Sequence, residues 1–181
     1  MEGLAEHWIR WWYAAGGPAQ PEWCVEPAAS HQAMLLSAPI SRHEYIAVSR
    51  AVQLPQPPEP HQGLMQWIGL PEPNRSLTLR LVEGVCGPWQ LPAEFETGHD
   101  SWCRSLAKAL RPGLWLPSDK VDARLLLGAW IGPQRWARTK LLWPMTTLGM
   151  PPQGLPSNRL DALWSAVLWR VSRGGEHAGQ A

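Results

Sequence analysis

His99 and Cys103 lie four residues apart, a spacing that puts both on one face of a helix, and Cys86 is a further thiol that could approach them. Histidine with cysteine at that spacing points to zinc. A structural zinc site, however, needs about four ligands, usually supplied by paired motifs such as Cys-x-x-Cys, and the chain has none. The expectation is a histidine at a helix start and a buried thiol, with no metal. Cys24, Cys86 and Cys103 are odd in number and widely spaced, which fits reduced thiols. Other catalytic patterns are missing: no phosphate loop, no dinucleotide fingerprint, no Gly-x-Ser-x-Gly and no His-Glu-x-x-His. The Asp residues and scattered His give little to build acid–base chemistry from. The expectation is a protein that is not an enzyme and has no cofactor.

The residues left to do chemistry are those that bind. Arg135, Trp136, Arg138 and Lys140 interleave basic and aromatic side chains, the pattern that single-strand nucleic-acid binders use. Residues 1–103 are acidic, with five Arg against eleven Asp or Glu, while residues 104–140 carry eight Lys or Arg against two acids. The chain nets only +1, so nucleic acid is not the expected partner. A basic face meeting an acidic protein surface fits better, with Trp136 as its anchor. Trp169 sits about 180° from Leu160 around the last helix, off the apolar stripe, and is a second candidate anchor. Trp8, Trp11 and Trp12 could lie on a membrane surface, but one Arg and two Glu in that helix leave out the electrostatic attraction. Thirteen Trp are mostly core.

These residues must be positioned by helices. Nineteen Pro and sixteen Gly cut the chain into short pieces, and the readable periodicities are helical. The expected fold is mainly α, an irregular helical domain of short helices with Pro/Gly corners, compatible with one short hairpin around Trp89–Phe95. Helices are predicted over residues 2–14, 41–52 (capped by Ser41, with Glu44 at capping-box spacing), 62–69 and 74–86. Further helices are predicted over 100–110, 121–130, 134–143 and 157–172, with Asn74, Asp100 and Ser157 as caps and Ser118 and Asp119 ahead of Val121. The 74–86 segment is apolar on two sides, through Leu77, Leu81 and Val85 and through Leu79, Val82 and Cys86, which makes it central. The Pro-rich tract 53–60 reads as a stiff linker. It divides an N-terminal arm, 1–61, from a helical domain, 62–173, followed by a mobile tail, 174–181. No segment is long and apolar enough to suggest a membrane span.

The stretch from Gln62 to Val171 resembles the SctK-type accessory proteins of the bacterial type III secretion sorting platform, including HrpD-type members. The resemblance lies in Met65-Gln66-Trp67-Ile68-Gly69-Leu70, the Leu-rich 77–84, Leu125-Leu126-Leu127-Gly128-Ala129-Trp130, and Trp136-Ala137-Arg138-Thr139-Lys140-Leu141-Leu142-Trp143-Pro144, ahead of a Pro-rich loop and a last helix. It implies a cytoplasmic adaptor at the inner face of the bacterial inner membrane. Such a protein joins the cytoplasmic domain of the inner-membrane ring protein to the sorting-platform pod (C-ring) protein, with no membrane insertion. Residues 1–61 depart from the family pattern, and no functional residue is carried over. Two other readings compete: a nucleic-acid-binding or regulatory protein using 135–140, and an unrecognised enzyme with a Trp-lined pocket.

Overall fold

Proline and glycine set the helix boundaries in the computed structural model, which describes residues 2–13, 56–87, 97–117 and 121–178. The fold is mainly helical, with no strand among the described residues. The helices are α1 (Glu2–Tyr13), α2 (Gln62–Gly69), α3 (Glu72–Cys86), α4 (Thr97–Leu110), α5 (Ala123–Ile131), α6 (Pro133–Thr139) and α7 (Ser157–Ala178). Short 3₁₀ turns cover Pro112–Leu114, Lys140–Leu142 and Met145–Thr147. The predicted helix over 41–52 and the hairpin around Trp89–Phe95 lie outside the described residues.

Several boundaries differ from those the sequence suggests. α3 begins at Glu72, two residues ahead of Asn74, with Pro71 as N-cap and Pro73 in the first turn, where a missing N–H costs nothing. Asn74 lies inside that turn, and its carbonyl accepts the Thr78 hydroxyl at 2.7 Å. α4 begins at Thr97, so Asp100 sits in the first turn and pairs with Arg104 at 2.9 Å. Asp122 caps α5, its carboxylate accepting the Arg124 N–H at 2.9 Å. The α-helix expected over 134–143 tightens into a 3₁₀ turn after Thr139, as a backbone approaching Pro144 tends to do. α7 continues to Ala178, so the expected tail is helical through most of its length. Gly174 and Gly175 each cost the helix about 1 kcal/mol, too little to end it. The corner at Gly132-Pro133 is as predicted, with Gly132 at φ 82°, a backbone setting that favours glycine, and Pro133 opening α6.

The chain divides into two units, one of residues 1–60 and 137–148, the other of residues 61–136 and 149–181. The division at Pro60 falls at the end of the Pro-rich tract; the inclusion of 137–148 in the first unit departs from an uninterrupted domain over 62–173. In the first unit, α1 gathers Trp8, Trp11 and Trp12, with ring centroids 5.3 to 6.2 Å apart. Trp8 is buried and donates its indole N–H to the Pro58 carbonyl at 2.8 Å.

In the second unit α3 and α7 are the hubs. α3 lies against α4, α5 and α7, and α7 also meets α2, α4 and α5. Both predicted faces of α3 contribute, since Leu81, Val82, Val85 and Cys86 are all buried. The α7 stripe of Leu160, Leu163, Trp164, Val167, Leu168 and Val171 is likewise buried. Fully burying each Leu or Val contributes about 1.5–3 kcal/mol, which is what holds these short helices together.

Candidate functional site

The residues singled out from the sequence have different settings. Trp136 is 7 % exposed. Its ring lies over Gly128 of α5, so close that a Cβ there would stand 2.7 Å from the ring's Cδ2 and the same distance from Cγ of Pro151. A ring this nearly buried cannot also stack on a nucleic-acid base. Arg135 is half-buried and donates from Nη1 to the Ile131 carbonyl at 3.0 Å, which ties its guanidinium to the end of α5. Arg138 and Lys140 are half-buried, and burial lowers the Arg138 pKa. Trp169 differs from all of these. It is 53 % exposed, on the side of α7 away from the buried stripe.

Trp169 is not isolated. The Arg173 guanidinium lies over its ring, 4.6 Å from the centroid, one helical turn on. A second pair stands nearby in the fold: the Arg170 guanidinium is 5.9 Å from the ring centroid of Trp102 in α4. Neither Arg170 nor Arg173 meets a carboxylate among the described residues. An arginine lying over an indole can keep N–H groups free for a bidentate acceptor and has already lost part of its conformational freedom. Trp102, Arg170 and Arg173 were missed in the sequence. The i, i+4 spacing of Trp169 and Arg173 was a usable signal; the Trp102–Arg170 pairing depends on how α4 meets α7.

A polar cluster with no sequence signature lies where α2, α5 and α7 meet. Nδ1 of His61 caps α2 by accepting the Leu64 N–H at 3.2 Å. The same imidazole meets Trp130 edge to face at 4.6 Å, and Trp130 stacks on Trp164 at 5.2 Å with planes 7° apart. Trp130 donates its indole N–H to Asp161 Oδ1 at 2.7 Å. Burial lowers the His61 pKa, the positive charge of Arg135 lowers it further, and Asp161 opposes both. The indole N–H of Trp164 is buried without an acceptor among the described residues, a cost of about 1–3 kcal/mol that the stacked and apolar contacts of its ring must offset. The cluster braces three helices. It presents no nucleophile beside a base.

The thiols behave as core. Cys103 donates to the Leu81 carbonyl at 3.8 Å, and both Cys86 and Cys103 are buried. Burial pushes Cys86 up to about 12 and Cys103 up to about 11, so neither is a thiolate near neutral pH. Among the described residues no three His, Cys, Asp or Glu side chains form a group able to hold a metal. No family model, no curated protein and no solved structure matches the chain.

Proposed function

We propose that the chain is a non-enzymatic adaptor of a type III secretion apparatus, linking the cytoplasmic domain of the inner-membrane ring protein to the sorting-platform pod from the cytoplasmic side. The observation that carries the docking part is the pair of Arg–Trp ledges, Trp102–Arg170 and Trp169–Arg173, held on the surface of the second unit. Trp and Arg are the side chains that binding hot spots favour, and guanidiniums that meet no carboxylate among the described residues suit an acidic partner surface. The secretion part rests on the sequence resemblance. The segments that carry it are largely interior: Met65 and Trp67 of α2, Leu126, Leu127 and Gly128 of α5, and Trp136 are buried. They bear on a shared helical body, while docking depends on the surface ledges. No described helix is long and apolar enough to cross a membrane.

The test is calorimetric titration of the purified chain with the ring protein's cytoplasmic domain and, separately, with the pod protein. The reading expects direct binding to both and at least a tenfold loss with Arg170→Glu. Absence of binding to either at about 100 µM, with the chain shown to be folded, refutes it.

A further inference from the structure

α1 carries Trp8, Trp11 and Trp12 at i, i+3 and i+4, so the three rings gather on one side of the helix. Trp11 stacks on Trp8 with centroids 5.3 Å apart, and Trp12 meets both rings at an angle. The Trp8 indole N–H is donated to the Pro58 carbonyl at 2.8 Å, 50 positions further along the chain. That bond seats the tract Gln56-Pro57-Pro58-Glu59-Pro60 on the helix. We propose that the tryptophan face of α1 is a binding site for proline-rich segments in the polyproline II conformation. The chain's own tract occupies it here, and a proline-rich segment of a partner protein can take its place. The inference goes beyond the secretion reading and does not depend on it.

The tract has little choice of conformation. Pro57, Pro58 and Pro60 have φ fixed at about −65°, and Gln56, Pro57 and Glu59 each precede a proline, which drives them out of the helical region. What remains is polyproline II, with about three residues per turn and no internal hydrogen bonds. Exposure follows that period. Gln56 and Glu59, one turn apart, are exposed, while Pro57 and Pro58 between them are half-buried. Pro60 is exposed again, so the seated part is the Pro57-Pro58 pair.

The chemistry of the contact defines the ligand. A polyproline II backbone leaves its carbonyls unused, whereas a helix or a strand in a sheet has committed its own, so an indole N–H that needs an acceptor favours the former. Proline rings pack on indole as apolar surface, and the segment arrives already ordered, which lowers the entropy lost on binding. Other occupants fit worse. Trp8 is 2 % exposed and offers no open ring to a base or a lipid surface. The exposed charges Glu6 and Arg10 lie on the opposite side of α1 and pair with each other at 3.0 Å, so neither is aimed at a charged ligand on the tryptophan face. Trp11 and Trp12 are half-buried, so part of each ring stays accessible to further residues of a longer segment. The resident tract is tethered and competes at an effective concentration on the order of 1 mM, so a partner segment must be longer or more concentrated to displace it.

Hydrogen exchange of the Trp8 indole in the full chain tests the proposal, its nuclear magnetic resonance signal being assigned by its loss in Trp8→Phe. In wild type the indole hydrogen should exchange slowly with deuterated solvent. Pro57→Gly with Pro58→Gly frees φ at both positions, and exchange should become at least tenfold faster. A synthetic peptide of residues 53–61, at about 1 mM, should bind this variant and restore slow exchange, and should bind wild type at least tenfold more weakly. The same peptide with alanine in place of every proline should do neither. Trp8→Phe in the glycine variant should weaken peptide binding at least tenfold, read from the peptide's own signals. Circular dichroism melts establish that each variant folds; should the double glycine variant not fold, Pro58→Gly alone and displacement of the wild-type tract by about 10 mM peptide decide. Exchange as slow in the folded glycine variant as in wild type, no binding of the proline peptide to that variant, or equal binding of the alanine peptide overturns the proposal.

Discussion

Replacing Gly128 by Ala sets two effects of opposite sign against each other. Gly128 lies inside α5, where exchanging glycine for alanine ordinarily stabilises a helix by about 1 kcal/mol. Here the added Cβ would stand 2.7 Å from Cγ of Pro151, 2.7 Å from Cδ2 of Trp136 and 3.1 Å from its Cε2. Those atoms belong to rigid rings, so neither can swing aside as a flexible chain end would. Overpacking of this kind costs about 1–3 kcal/mol, and two rigid neighbours put it near the upper end. The clash therefore wins, with a net loss of about 2 kcal/mol. For a chain of this size that is a drop of about 4–8 °C in Tm. Urea titration and calorimetry read it directly. Gly98→Ala, whose Cβ would meet nothing within 4 Å, is the control and should lose nothing. Trp136→Leu should cost several kcal/mol alone yet largely remove the penalty at 128, a coupling that a double-mutant cycle measures. A Gly128→Ala chain as stable as wild type would show that Trp136 does not lie on α5, and would return Trp136 to the surface candidates.

Other expectations follow from single groups. The His61 pKa is lowered in the fold, so between that value and about 6.5 the unfolded chain binds more protons; stability rises with pH through this window and is lost as pH falls through it. His61→Asn keeps a cap but not the titration, so denaturation midpoints at pH 5 and 7.5 should differ less in that variant than in wild type. Cys86 and Cys103, raised to about 12 and about 11, should resist iodoacetamide at pH 8 in the native protein and react once it is unfolded, as peptide mapping will report. Arg111 ends α4 with φ 50° and ψ 60°, the left-handed region, so Arg111→Gly should raise stability by up to about 1 kcal/mol in urea titrations. Trp130→Phe keeps most of the stacked ring but removes the donor to Asp161, and should cost about 1 kcal/mol by the same measure.

The helical class was legible because each apolar period is local: a stripe such as Leu160, Leu163, Val167 and Val171 needs only the 3.6-residue repeat to declare its buried side. The central place of α3 was legible for the same reason, since a helix apolar on two sides must be covered on two sides. Stop signals such as Gly132-Pro133 act through backbone sterics and needed no neighbour. Starts were less legible, because Pro71 and Pro73 open α3 without a side-chain cap and leave Asn74 in a turn it does not begin. Trp169 could be placed off the core face from sequence alone, as helical phase is a property of one segment. Trp136 could not be placed, although it carries the same residue type among basic neighbours. Its burial depends on Gly128 leaving room beneath the ring, and a side chain's distance from a residue on another helix is not encoded in any periodicity. The same limit hid the His61–Trp130–Trp164 cluster and the Trp102–Arg170 pair, each assembled from helices far apart in the chain. Sequence determined which faces turn inward, through local repeats of apolar area; only the tertiary structure decided which aromatic rings those faces cover and which remain exposed, because that depends on what approaches from elsewhere.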